Sequence, residues 1–96
     1  MSRLQVLVAT MNQSDHSIAE KMNIRCDAVI ANQADREEIS SVDGKYGRVK
    51  MITTSTRGVG LNRNIALMAA ESEYILFADD DVVYNDDMPE SVIAAF

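Results

Sequence analysis

The sequence predicts one α/β domain, residues 1–96, in which a mostly parallel sheet is flanked by helices. Short apolar runs bounded by polar residues alternate with segments of helical periodicity, which is typical of layered α/β folds. Residues 4–9 are nearly all apolar, which indicates a strand covered on both faces as in a parallel sheet, and residues 74–78 form a second apolar run bounded by charges on both sides. A chain of 96 residues accommodates one domain and not two.

The remaining elements follow from local pattern. The predicted strands are short apolar or alternating runs, namely residues 4–9, 28–31, 48–53 and 74–78. The predicted helices run from Ser14 or Ser17 to about Met22, over residues 60–70, and from Asp87 onward. Ser17 with Glu20 fits a capping box, and residues 35–41 are expected to form a polar loop or a short helical turn.

Composition excludes several classes of protein. Lys plus Arg number 9 against 15 Asp plus Glu, and the net charge of −6 argues against binding nucleic acid or an anionic membrane. No apolar run approaches the roughly 20 residues of a membrane span, so no membrane segment is predicted. Cys26 is the single cysteine, which excludes an intramolecular disulfide, and the first residues do not form a secretory signal. We therefore expect a cytoplasmic location.

Polar residues follow each predicted strand. In an open parallel sheet, ligands bind outside the carboxyl ends of the strands, so these clusters are expected to converge on one edge. The clusters are Thr10 to Asn12, Asn32 to Asp35, Thr54 to Arg57, and Asp79 to Asp81. Arg57 also precedes Gly58 and Gly60 at the start of a predicted helix, where backbone can approach a ligand and the helix N-terminus favours an anion.

The acidic triplet Asp79-Asp80-Asp81 lies between two apolar runs. Adjacent like charges repel, and each carboxylate loses hydration near a buried strand end. A divalent cation relieves both costs, and Asp79 and Asp81 point to the same side if the extended geometry continues. Carboxylate oxygens suit Mg²⁺ or Mn²⁺, which can bridge to the oxygens of a diphosphate. The alternative is a solvated acidic turn or a set of caps for the following helix.

The run RGVGLNRNIALMAAESEYILFADDDVVY resembles the central stretch of family 2 glycosyltransferases. In that family a helix carrying an A-R-N sequence leads into a short E-Y-I strand and a D-x-D motif, and LVATMNQ resembles the opening strand with its P-T-Y-N turn. The likeness spans most of residues 4–96 and is weak over 32–50. It implies a Rossmann-like GT-A fold that holds a nucleotide-diphosphate sugar across the strand ends.

The resemblance also implies roles for individual residues. Thr10 and Asn12 would lie beside the nucleoside, and Arg63 and Asn64 match the pair at the helix start. Asp79 would contact the ribose or the metal, and Asp81 would ligate the metal. Further candidates for contact with the nucleotide sugar are Asn32, Asp35, Arg57 and Asp80. Asn32 stands where the family usually has one of two paired aspartates, so the choice of base stays open.

Family enzymes have a second half that binds the acceptor and supplies the catalytic base, and this chain offers no carboxylate for that role. The resemblance therefore implies a donor-binding half that is inactive alone, with no catalytic residue assigned. The final helix reaches the apolar Phe96, so we expect a chain cut off in mid-fold that self-associates through unpaired edges or apolar faces.

Two other interpretations remain open at this stage. ILFADDDVV also fits a phosphatase resembling the haloacid dehalogenase superfamily, with Asp79 as nucleophile and Asp81 as acid. That motif normally opens the chain, whereas here it begins near residue 79 and leaves no room for the later motifs. The other interpretation is a non-catalytic α/β fragment that acts in self-association.

Overall fold

A computed structural model of the chain describes residues 4–55, 59–70 and 74–95, with the side chains of 59–63 and 95 left undescribed. Strands and helices alternate for most of its length, as predicted. In chain order the elements are β1 (Leu4–Met11), α1 (Ile18–Lys21), β2 (Asp27–Gln33), β3 (Glu38–Asp43), β4 (Arg48–Thr54), α2 (Val59–Met68), β5 (Tyr74–Asp79) and α3 (Met88–Ala95).

The strands form one sheet in the order β3-β4-β2-β1-β5. β1 pairs in parallel with both β2 and β5, and β2 pairs in parallel with β4. Only β3 runs antiparallel, along the outer edge of β4. The predicted mostly parallel α/β fold is thus confirmed. Because parallel strands end on the same side, β1, β2, β4 and β5 place their carboxyl ends along one edge of the sheet, called here the carboxyl edge.

The strand β3 corrects the expectation of a loop or helical turn over residues 35–41. Its apolar members Ile39 and Val42 are exposed, so burial does not reveal it in the sequence. Backbone pairing with β4 forms it instead, across a tight connection in which the Gly44 N–H donates to the Gly47 carbonyl at 2.8 Å. Gly47 is packed so closely that a Cβ there would lie 2.7 Å from the backbone nitrogen of Asp27.

Each face of the sheet has its own apolar layer, as alternating strand side chains require. The larger layer lies under α1 and α3. It is formed by Leu4, Val6, Val8, Ile18, Ala19, Met22, Ile24, Cys26, Ala28, Ile30, Val49, Met51 and Met88. The smaller layer, Leu7, Val29, Ala31 and Ala66, packs β1 and β2 against α2. These two layers fix the strands whose ends form the candidate site.

The helix α1 is shorter than predicted and is capped differently. Ser17 precedes it without a side-chain capping bond, so the predicted capping box is wrong. Asp15 takes over this role, because its Oδ1 accepts from the Ser17 N–H at 3.0 Å. The hydrogen bonds from Ser17 lower the pKa of the Asp15 carboxyl. In the described part of the chain, no helix is long and apolar enough to span a membrane. Phe96 lies outside the described residues.

Candidate functional site at the carboxyl edge

A row of polar side chains crosses the sheet at the carboxyl edge. Thr10 of β1 is in register with Asn32 of β2, and Asn32 is in register with Thr53 of β4. All three side chains are buried, on strands whose preceding residues are apolar. Burying a polar group costs free energy unless it is hydrogen-bonded, so the partners of this row decide its role.

Asn32 is 0% exposed and is bonded to the chain segment after β1. Its Oδ1 accepts from the Gln13 backbone N–H at 3.0 Å, and its Nδ2 donates to the Gln13 carbonyl at 2.9 Å. The same Nδ2 donates to Thr53 Oγ1 at 3.2 Å. The Asn32 amide therefore bonds both the N–H and the carbonyl of Gln13, and both of its own N–H groups are used within the protein.

Gln13 connects this row to the acidic triplet. Its Nε2 donates to Thr10 Oγ1 at 3.1 Å, and the Thr10 hydroxyl donates to Asp80 Oδ2 at 2.7 Å. Gln13 also receives a bond at its carbonyl from Arg36 Nη2 at 2.9 Å. A short hydroxyl-to-carboxylate bond of this kind is charge-assisted and stronger than a neutral one. Polar groups of β1, β2 and β5 therefore meet at one edge, as the sequence predicts. Gln13, which connects them, was not among the predicted site residues.

The turn after β1 is closed by backbone as well as by Gln13. Asn12 has φ 60° and its N–H donates to the Gln33 carbonyl at 2.8 Å. Asparagine tolerates this left-handed conformation better than most residues. Asn12 is exposed, so its side chain is presented at the carboxyl edge where a ligand can reach it.

The acidic triplet forms a turn and not a continued strand. Asp79 is the last residue of β5, and the Val82 N–H donates back to the Asp79 carbonyl at 3.2 Å. The extended geometry on which the expectation for Asp79 and Asp81 depends does not continue beyond Asp79. All three carboxylates are exposed at the carboxyl edge, and Asp80 is the one bonded to β1 through Thr10.

The segment after the triplet is fastened to the end of α1. The Tyr84 N–H donates to the Met22 carbonyl at 2.9 Å. Asn23, at φ 56°, donates from Nδ2 to the Tyr84 carbonyl at 2.9 Å and to Asp86 Oδ1 at 2.8 Å. Arg25 Nη2 forms an ion pair with the same carboxylate at 3.0 Å. These contacts span more than 60 residues of sequence, and no local pattern in the sequence signals them.

Tyr84 reports the environment beside this turn. Burial raises the pKa of its phenol, and the charges of Cys26 and Asp79 raise it further.

The other candidates are placed less completely. Asp35 is exposed just beyond β2, and Asn64 is exposed on α2. Arg63 belongs to α2, but its side chain is not described, and Arg57 lies outside the described residues. His16 is half-buried, with Nε2 3.0 Å from Ser40 Oγ.

The donor chemistry at the triplet fits a hard divalent cation, although no ready-made ion site is assembled. Carboxylate and hydroxyl oxygens are the ligands that Mg²⁺ and Mn²⁺ take. Across residues 4–55, 59–70 and 74–95, no three His, Cys, Asp or Glu side chains are grouped closely enough to hold a metal ion. Mg²⁺ is commonly held by only one or two carboxylates, with phosphate and water completing its shell. A pair of carboxylates from the triplet meets that requirement once a diphosphate is present.

In open α/β sheets, ligands bind outside the carboxyl ends of the strands, which is the edge where this chain gathers its polar residues. The family model described as "Glycosyl transferase family 2" matches residues 16–96, and the chain belongs to this family. This membership is consistent with a GT-A type sheet and favours the glycosyltransferase interpretation over the phosphatase. Dependence on a divalent metal is common in the family.

Two similar proteins carry the same name, poly(ribitol-phosphate) beta-N-acetylglucosaminyltransferase TarS, and come from the Mu50 and MW2 strains of Staphylococcus aureus. Each is 28% identical over 99 residues, which covers 88% of this chain. The chain spans 17% of the length of these relatives. No solved structure matches the chain at a significant level.

Proposed function

We propose that residues 1–96 form the donor-binding part of a family 2 glycosyltransferase, which holds a nucleotide-diphosphate sugar at the carboxyl edge through Mg²⁺ or Mn²⁺. One observation carries the proposal: the acidic turn lies at the end of β5, and its central carboxylate is bonded at 2.7 Å to Thr10 of the neighbouring strand. The turn therefore opens onto the edge where β1 and β2 present their own polar residues.

Within this proposal the three carboxylates have different tasks. Asp79 and Asp81 would hold the cation, which when bound stabilises the negative charge that develops on the departing diphosphate. Asp80 fixes the turn against β1 by accepting from Thr10. Asp79 and Asp81 are assigned to the ion because they stand at the first and third positions of the D-x-D motif that the chain shares with the family it resembles, whereas the bond from Thr10 gives Asp80 a structural task.

The nucleoside side of the site is assigned to the turn after β1. Asn12 presents an exposed amide there, and Asp35 is exposed beyond the neighbouring strand β2. Thr10 and Asn32 are buried, so they support this region from below and contact the nucleotide less directly than the resemblance implies. Arg57, Arg63 and Asn64 are proposed at the anionic part of the donor, because α2 follows β4 in the chain and guanidinium groups bind phosphate oxygens.

The relatives' name describes transfer of N-acetylglucosamine to poly(ribitol phosphate). From it we carry over only the type of reaction, sugar transfer, whereas the nucleotide-diphosphate sugar is the donor that membership of the family implies. Inversion at the sugar requires a base to deprotonate the acceptor hydroxyl, and we assign that base to no residue described here. The cytoplasmic location and the self-association expected from the sequence stay predictions.

Calorimetric titration of the chain with UDP and with GDP, each with and without Mn²⁺, tests the proposal. We expect weak binding of one nucleotide that depends on Mn²⁺, and at least about a tenfold loss of affinity in Asp81→Asn, since removing a ligating charge weakens the ion's hold. Asp43→Asn is the control, because Asp43 is also an exposed aspartate and lies beside the first residue of β4, away from the carboxyl edge, where it pairs with Arg48.

Equal heats with and without Mn²⁺ would overturn the metal assignment. An equal loss in Asp43→Asn and Asp81→Asn would show that general charge, and not the triplet, governs binding.

A further inference from the structure

Asn32 is a fully buried amide that bonds the backbone of Gln13 at two atoms and the hydroxyl of Thr53. An apolar side chain at this position would take this partner from the Gln13 N–H and would leave the Gln13 carbonyl with its bond from Arg36. Together with the bond from the Asn12 N–H to the Gln33 carbonyl, the amide fixes where the segment after β1 lies relative to β2.

The position of Gln13 in turn governs the acidic triplet. Gln13 Nε2 donates to the Thr10 hydroxyl, which must then direct its own hydrogen elsewhere, and that hydrogen goes to Asp80. The bonds form one directed chain from Asn32 through Gln13 and Thr10 to the middle carboxylate. Removal of either amide takes away a bond that helps to orient the Thr10 hydroxyl, so the bond to Asp80 is held in a less fixed geometry.

We propose that Asn32 and Gln13 are positioning residues that set the affinity of the acidic turn for its divalent cation. This inference rests on the proposed function, in which Asp79 and Asp81 hold that cation. Outer-shell partners of metal ligands typically change metal affinity by 10- to 100-fold when they are removed. These hydrogen bonds reach the turn at Asp80, which is adjacent in sequence to each proposed ligand but is not itself a ligand. We therefore expect metal affinity to fall about three- to tenfold when they are removed, at or below the lower end of that range.

The chemistry of the pair explains why an amide and not a carboxylate occupies position 32. An aspartate there could accept from the Gln13 N–H but could not donate to the Gln13 carbonyl or to Thr53 Oγ1. It would bring a charge into a site that is 0% exposed and face it towards two acceptor oxygens. The residue that the family commonly uses to contact a base is thus replaced here by one that builds the turn.

Binding of Mn²⁺ alone, followed by the electron paramagnetic resonance signal of the free ion, tests this chain. The variants are Asn32→Ala, which removes the bonds to Gln13, and Gln13→Met, which keeps the shape of a half-exposed side chain but removes the bond to Thr10. Thr53→Val is the matched control, because it deprives Asn32 of one partner and lowers stability while it leaves the pairing with Gln13 intact.

We expect Mn²⁺ affinity to fall about three- to tenfold in Asn32→Ala and in Gln13→Met, and to stay within about twofold of wild type in Thr53→Val. The double variant of Asn32→Ala and Gln13→Met should bind Mn²⁺ no more weakly than whichever single variant has the lower affinity, because both substitutions break the same series of hydrogen bonds. An unchanged affinity in Gln13→Met overturns the inference, and so does an equal loss in Thr53→Val. If Asn32→Ala does not fold, Gln13→Met and the control decide the question.

A second measurement separates the inference from the proposed function. Backbone amide shifts of Asp80 and Asp81, recorded without metal, should move in Gln13→Met and in Asn32→Ala but not in Thr53→Val. Unmoved shifts overturn the positioning chain whether or not Mn²⁺ binds. If the shifts move in the variants but the wild-type protein binds no Mn²⁺, either alone or with UDP or GDP present, the proposed metal site is overturned, and with it the effect on affinity.

Discussion

Replacement of Thr10 by valine removes one hydroxyl and preserves the β-branched shape of a buried side chain. The hydroxyl donates to Asp80 Oδ2 at 2.7 Å and accepts from Gln13 Nε2 at 3.1 Å. A hydrogen bond to a charged group contributes roughly 1.5–3 kcal/mol, but Asp80 is exposed, so water replaces part of what it loses. We therefore expect the free energy of unfolding to fall by about 1 kcal/mol.

Thermal unfolding followed by circular dichroism, without metal, measures this change. In a domain of this size about 1 kcal/mol corresponds to a Tm lower by roughly 4–8 °C. A double-mutant cycle with Asp80→Ala supplies the control, since Thr10→Val should cost little once the acceptor is absent. The reasoning is refuted if the two substitutions are additive, because the measured cost would then arise from something other than the bond between them.

Three further outcomes are expected. Burial, together with the charge of Asp27, raises the pKa of the Cys26 thiol from 9.0 to about 11, so between these values the folded state retains a proton that the unfolded state loses. Urea titrations should therefore show the free energy of unfolding falling between about pH 9 and 11. A Cys26→Ala variant should lack this pH-dependent component. Asn23 combines φ 56° with bonds to the segment after the triplet, so Asn23→Ala should lower the free energy of unfolding by about 1 kcal/mol more than Asn23→Gly, as chemical denaturation can measure. Ile30→Val in the core should cost about 0.5–1.5 kcal/mol, whereas Ile39→Val on the exposed strand β3 should stay within about 0.5 kcal/mol, and a larger cost at Ile39 would contradict its exposure.

The strands that could be predicted are those whose burial requires a recognisable run of apolar residues. Residues 4–9 and 74–78 are apolar because β1 is covered on both faces and β5 lies beside it, and both strands were expected within two residues of their ends. β3 was missed for the opposite reason. Its register with β4 is maintained by backbone bonds, while Ile39 and Val42 remain exposed, so its side chains follow no buried alternation that could reveal a strand.

The location of the site could be predicted from the sequence, but its hydrogen bonds could not. Thr10, Asn32 and the triplet were expected at one edge because parallel strands end together, and the register confirms that Thr10 and Asn32 are neighbours. The sequence could not show that Asn32 pairs with the backbone of Gln13, since backbone partners leave no residue type to recognise. Asn23 escaped notice for a similar reason, because it too binds a distant carbonyl, that of Tyr84.

A D-x-D spacing places its two carboxylates on one side only when the chain stays extended, and here the chain turns at Asp79. What arranges the carboxylates is therefore the set of contacts that hold the turn. Thr10 holds it at Asp80, and Asn23 holds the chain a few residues later, at Tyr84 and Asp86. Both holding residues lie on segments that also pack the core beneath α1. Because a cation responds to small displacements of its ligands, its affinity at this turn should depend on residues about 60 to 70 positions away in sequence as well as on the aspartates themselves.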